Sequence, residues 1–252
     1  MKKGLDPVLV FWKGFGIFKE GGVTEAIREI EMIKEWREIS YAAHMALMFY
    51  HDHCRIVDRE TIDHLKFSAE SIENQASDKD LLHASMFFLH VNELKWASQT
   101  ITRVIENNNA NLNAISVKGW IYLAAPKEEY VDKAVEIFDS VLNEENGGSH
   151  KHLDALLGRA AYYEKKKQYP VAIEILTEIQ INYKDFTPAN NIKARLLIIN
   201  ADWDQVLETI QKTLAYEPNN IEAVWIYLFF LLSREYDSES VEEKFGDLKL
   251  CF

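Results

Sequence analysis

His51, His53 and Cys54 are the residues in this chain whose types could hold a metal, since imidazole nitrogens and thiolate are the ligands zinc prefers. His44, seven residues before His51, shares a helical face with it. A closed zinc site needs four convergent ligands at recognised spacing, and neither a second cysteine pair nor a His-x-x-x-His lies nearby. The group reads as two histidines and a thiol at a helix end, and no metal is assigned. A metalloenzyme built on it would have to purify with stoichiometric metal. Glu128-Glu129 and Glu242-Glu243 read as charge on solvated helix faces rather than as an acid and base pair. The sequence has no nucleophile elbow, no glycine loop that would cradle phosphate and no His-Glu-x-x-His. No catalytic residue and no cofactor is predicted, so the expectation is a protein that is not an enzyme.

Lys and Arg number 28 against 40 Asp and Glu, a formal charge of −12 with a pI near 5.2. That balance argues against a sequence-independent grip on a phosphate backbone or on anionic lipid, so nucleic acid is not an expected partner. The basic run Lys165 to Lys167 falls at an expected helix end, where cations suit the dipole. Cys54 and Cys251 cannot make a disulfide framework, which points to the reducing cytosol. Lys2 and Lys3 followed by Val8 to Phe18 have the look of a leader, but Lys13 interrupts the run and no small-residue cleavage site follows. No apolar run approaches the ~20 residues of a membrane helix. The expectation is a cytoplasmic chain with no direct membrane insertion.

The elements that position these residues repeat. Ala172 and Val206 lie 34 residues apart (206 − 172), and around each stands one frame. The first copy is Leu156, Ala160, Tyr163, Tyr169, Ala172, Leu176 and Ile179; the second is Asn190, Ala194, Leu197, Trp203, Val206, Ile210 and Thr213, then Pro218. This is the tetratricopeptide (TPR) frame, a helix-turn-helix unit of ~34 residues. Two antiparallel helices that cross closely exclude bulk at the crossing and want large apolar residues on either side. Small residues 12 apart mark such crossings: Gly14 with Ala26, Ser85 with Ala97, Ala160 with Ala172, and Ala194 with Val206 in the larger role.

The expected fold is all-α, a TPR-type solenoid of helical hairpins in a right-handed superhelix. It is one continuous array over 1–252, with contacts running only between neighbouring repeats. About seven helix pairs are expected near 7–35, 40–75, 79–107, 112–143, 151–182, 188–215 and 220–248. Asp6-Pro7 opens the first, Gly21-Gly22 breaks it, Asp78 caps the third, and Asn146-Gly147-Gly148-Ser149 ends the fourth. The second pair has no clear small-residue positions.

On the concave side the first helices present Phe11 and Phe15, Leu82 and Met86, Leu157 and Ala161, Asn191 and Arg195, and Trp225 and Phe229. A clamp of Lys, Arg and Asn for an acidic peptide tail is missing, since one of these pairs alone is polar. The row predicts an apolar stripe covered either by a partner segment or by the array's own superhelical turn. The partner-binding candidates are Phe11, Phe15, Leu82, Met86, Asn191, Arg195, Trp225 and Phe229.

Several stretches lie beyond the generic frame. They are Asp6-Pro7-Val8, Ile56-Val57-Asp58-Arg59-Glu60-Thr61-Ile62, Ala155-Leu156-Leu157-Gly158-Arg159-Ala160, and Ala201-Asp202-Trp203-Asp204-Gln205-Val206-Leu207-Glu208-Thr209. In order and spacing, from Asp6 to about Asp237, the chain resembles the tetratricopeptide repeat protein 21 family, that is, intraflagellar transport protein 139. The resemblance implies a subunit of intraflagellar transport complex A, whose partners are the other subunits and, indirectly, dynein-2 and ciliary cargo. It implies a place in the cilium or flagellum and at the ciliary base, and it brings no catalytic residues. Family members are much longer, so the chain reads as a piece of the N-terminal array. The alternative is a peptide-binding TPR adaptor unrelated to cilia, which should carry polar clamp residues in its groove.

Overall fold

The computed structural model describes residues 6–144 and 152–234, and among these there are thirteen α-helices and no strand. The helices are α1 (Pro7–Lys19), α2 (Val23–Glu31), α3 (Ser40–Asp52), α4 (Arg59–Glu73), α5 (Asp78–His90), α6 (Leu94–Asn107) and α7 (Leu112–Ala124). They continue as α8 (Glu128–Glu144), α9 (Leu153–Lys165), α10 (Tyr169–Asn182), α11 (Thr187–Ile199), α12 (Trp203–Tyr216) and α13 (Ile221–Arg234). The chain falls into two compact units, Met1–Lys127 and Glu128–Phe252, with the division between α7 and α8. The expected second helix of the seventh pair, near 238–248, lies outside the described residues, as do the Asn146–Ser149 turn, Glu242-Glu243 and Cys251.

The helices pair because their small residues let them. Ser85 and Ala97 are both fully buried, and the Ser85 hydroxyl donates to the Ala97 carbonyl at 2.9 Å, which places the crossing of α5 and α6 where the 12-residue spacing puts it. Ala160 with Ala172 and Ala194 with Val206 are buried in the same way between α9 and α10 and between α11 and α12. At Gly14 a Cβ would come within 2.7 Å of Ile30 Cδ1, so α1 and α2 approach closely there and a larger residue would displace the Ile30 side chain. Gly158 does the same for α9, because a Cβ would fall on the ring of the fully buried Phe138 of α8.

Four hairpins turn in one way. The helix ends α1, α5, α9 and α11 each close with an amide bonding to the carbonyl five residues back: Gly22 to Ile17, Glu93 to Phe88, Gln168 to Tyr163, and Asp202 to Leu197, at 2.8–3.0 Å. The residue just before each of these donors sits in the left-handed region, namely Gly21 (φ 92°), Asn92 (64°), Lys167 (60°) and Ala201 (57°). That is the Schellman ending, and glycine is the residue that adopts it without a Cβ clash. Helix starts are capped by side chains: Asp6 accepts from Val8 N, Asp58 from Thr61 N, Asn111 from Ala114 N, Asp202 from Gln205 N and Asn220 from Ala223 N. The cap of α5 is Ser77, which accepts from Asp80 N, and not Asp78, whose side chain instead accepts from Asn107.

α3 begins without a cap of its own. Its first free amides, Tyr41 N and Ala42 N, donate instead to the two carboxylate oxygens of Asp80 on α5, at 2.8 and 2.9 Å. Asp80 is fully buried, and burial raises its carboxyl above the usual Asp value despite the two amides and the nearby His44. The first pair, expected to run to 35, ends its second helix at Glu31, and turns at Ile33, Trp36 and Ile39 carry the chain to α3. The second pair buries Ala42, Ala43 and Ala46 on α3 and Leu65 and Ala69 on α4, which supplies the small residues that the frame left unassigned.

Candidate partner surface

In the first unit the candidate row is packed rather than open. Phe11 is fully buried, edge-on to Trp12 at 5.2 Å and to Phe87 of α5 at 6.0 Å. Phe15 is half-buried against Phe87 at 5.8 Å and His90 at 5.7 Å. Leu82 and Met86 are half-buried beside the same core. Of the two coverings expected for the apolar stripe, packing within the array is the one seen in this unit, because α1 lays its aromatic side chains on α5. This corrects the neighbour-only rule, since α1 and α5 belong to the first and third pairs. Phe18, Phe49 and Tyr50 extend the cluster onto α3, with Phe18 stacked on Tyr50 at 4.5 Å.

In the second unit the row divides. Asn191 is 3% exposed and spends its amide inside the fold, donating to Asn220 Oδ1 at 3.0 Å and to Glu222 Oε2 at 3.2 Å. As an accessible contact residue it is corrected, for its work is to tie α11 to the first turn of α13. Arg195 is exposed and lies 3.4 Å from Glu222. Leu157 and Ala161 are half-buried. Trp225 and Phe229 are 52% and 51% exposed, and Ile221 and Leu232 join them at 42% and 52%. These four fall at i, i+4, i+8 and i+11, a single face of α13. Sequence reasoning missed Ile221 and Leu232 because α13 is apolar all round, which hides its half-exposed face.

The row has an internal logic. Trp225 and Phe229 stand 34 residues after Asn191 and Arg195, so α13 carries aromatic rings at the positions where α11 holds the next first helix by polar groups. Thr187, 34 residues before Ile221, likewise donates to Glu217 at 3.0 Å. Lys193, beside this network, is nearly buried with its ammonium 2.9 Å from Gln180 Oε1, and burial lowers its affinity for the proton.

Of the histidines flagged for metal chemistry, His44 and His53 bond to carbonyls of α3. His44 is buried with Nδ1 2.8 Å from the Ser40 carbonyl; His53 Nδ1 lies 2.7 Å from the Phe49 carbonyl and its ring 4.2 Å from the Phe49 ring. Cys54 Sγ reaches the Tyr50 carbonyl at 3.5 Å. Among the described residues no group of three or more His, Cys, Asp or Glu converges, and no helix is long and apolar enough to cross a membrane.

Antiparallel helix pairs, recurring small-residue crossings and a repeated hairpin ending define an all-α helical repeat of the TPR kind. Two solved structures share that fold: a thermophilic TPR protein of Thermus thermophilus, with a TM-score of 0.60 at 14% identity over 90% of this chain and 100% of that one, and a tetratricopeptide repeat protein of Parabacteroides merdae, at 0.56 and 15% over 97% and 98%. Residues 1–207 match the family model for the tetratricopeptide repeat protein 21 N-terminal ARM repeat. The chain belongs to the tetratricopeptide repeat protein 21 family. It is 33% identical over 234 residues to tetratricopeptide repeat protein 21B of Xenopus laevis and 31% identical over 245 residues to the human 21B protein. These matches cover 93% and 97% of this chain and 18% of each relative.

Proposed function

We propose that the chain acts as a non-enzymatic scaffold within intraflagellar transport complex A, in retrograde transport and ciliary protein trafficking, at the ciliary base and along the cilium. The observation that carries this reading is the match of nearly the whole chain to 21B proteins, in sequence order, on an all-α helical-repeat fold. Its partners are the other subunits of that complex, with dynein-2 and cargo reached through them, and the accessible contact residues are Arg195, Trp225 and Phe229. A peptide-binding adaptor is less well supported, since Asn191 is committed to α13.

The test is affinity purification of the tagged chain from ciliated cells, scored by mass spectrometry. Complex A subunits should be recovered with the wild type and lost with Trp225→Glu together with Phe229→Glu. Recovery of unrelated partners without any complex A subunit would sink the ciliary reading and leave the scaffold reading standing.

A further inference from the structure

α1 meets α5 across a whole intervening helix pair, and two of the rings it meets are imidazoles. His83 and His90 lie seven residues apart, on one face of α5. Both contact the Trp12 indole edge-on, with centroids at 6.2 and 5.7 Å, and His90 also lies against Phe15. His83 Nδ1 is buried without a hydrogen-bond partner. The Lys19 ammonium sits 5.2 Å from the Phe15 ring centre and 3.4 Å from the His90 carbonyl, so a cation already stands at that end of the contact. The charges that act on His83 are Lys79 one turn back and Asp6 at the start of α1; the one that acts on His90 is Lys19. α3, α6 and α7, which also pack on α5, bring none.

We propose that the docking of α1 on α5 is a proton-sensitive latch, closed while His83 and His90 are neutral and released when both are protonated, baring Phe11, Phe15 and Phe87. A neutral imidazole packs as an aromatic ring, whereas an imidazolium carries charge into a contact where one nitrogen has no acceptor and two of three neighbouring charges are of its own sign. Burial holds both rings below the ordinary His value. A base whose folded value is depressed contributes stability that is present above the unfolded value, about 6.5, and lost as pH falls through the folded one. The latch therefore opens on the acid side of about pH 6.5. Its released face is aromatic and lies on the row expected to meet partners, so α1 is a self-supplied occupant of that face of α5.

Hydrogen exchange on the full chain tests this, with amide protection compared at pH 7.5 and 5.5 after correction for intrinsic rates. Protection of α1 amides should fall relative to those of α9 and α10 as the pH is lowered, because protonation weakens the contact that holds α1 alone. The double variant His83→Gln with His90→Gln should remove the differential. Equal losses in α1 and α9, or a step that survives in the double variant, would overturn the latch. Should that variant not fold, titration of the His83 and His90 ring protons by NMR in the wild type decides: midpoints at or above the free-histidine value overturn the proposal, and midpoints below it that coincide with loss of α1 protection support it.

Discussion

Ala201 and Gly21 occupy one backbone position in two different hairpins, and only one of them is suited to it. Ala201 holds φ 57° with a Cβ in place, a conformation that costs an L-residue about 1–2 kcal/mol, while Gly21 at φ 92° has nothing within 4 Å of where a Cβ would stand. Ala201→Gly should therefore stabilise the chain by about 1 kcal/mol, after the looser unfolded chain takes back part of the gain, and Gly21→Ala should destabilise it by about as much. Urea unfolding of both variants gives the two signs, and shifts in the same direction would contradict a shared left-handed ending. The sequence shows this position at Gly21 alone. Asn92, Lys167 and Ala201 carry no glycine, so it becomes visible only when the bonds that skip five residues are seen. The small residues of the crossings, by contrast, are legible in advance, since the 12-residue offset of Ser85 and Ala97 recurs in the other pairs and the two meet where that spacing places them.

At the scale of the element, α3 depends on a carboxylate it does not own. Asp80→Ala would leave Tyr41 N and Ala42 N buried without acceptors, at a cost on the order of 3 kcal/mol for two bonds to a charged group offset by the relief of a buried charge. Since burial raises the Asp80 carboxyl, its titration contributes stability that is full below the unfolded value of about 3.9 and declines as pH rises through the folded one. Unfolding free energies measured from pH 4 to 7 should show this decline in the wild type and not in the variant. A wild-type curve that rises throughout that window at the Asp80-dependent part would contradict the assignment. No sequence pattern announces this cap, because donor and acceptor are separated by 38 residues and belong to different pairs. Helix bounds were far more legible: the Pro7 start of α1 follows from Asp6-Pro7 and its end near Lys19 from Gly21-Gly22, whereas α2 ends early because Ile33 and Ile39 are drawn into the core through turns.

For the molecule as a whole, the candidate row is two surfaces with opposite responses to charge. Phe15→Glu would replace a ring packed among Trp12, Phe87 and His90 with a carboxylate and should lower the melting temperature by several degrees, the lost aromatic packing outweighing the ion pair open to it with Lys19. Trp225→Glu falls on a half-exposed ring and should leave the melting temperature nearly unchanged while reducing self-association in light scattering. If Trp225→Glu unfolds the chain as Phe15→Glu does, the α13 face is interior and the partner surface lies elsewhere. The periodicity of the chain gives the row its residues but not this difference, since the same spacing serves whether a first helix faces solvent or, as α1 does, a helix two pairs away. That distant contact has a consequence for how the protein is made. The 76 residues between Phe11 and Phe87 (87 − 11) take roughly 4 to 15 s to synthesise at ribosomal rates, and through that interval α1 has no α5 to rest on. The hairpins, closed by bonds between residues five apart, can form as they emerge, but Phe11, Trp12 and Phe15 stay uncovered on the α5 side until α5 has been made.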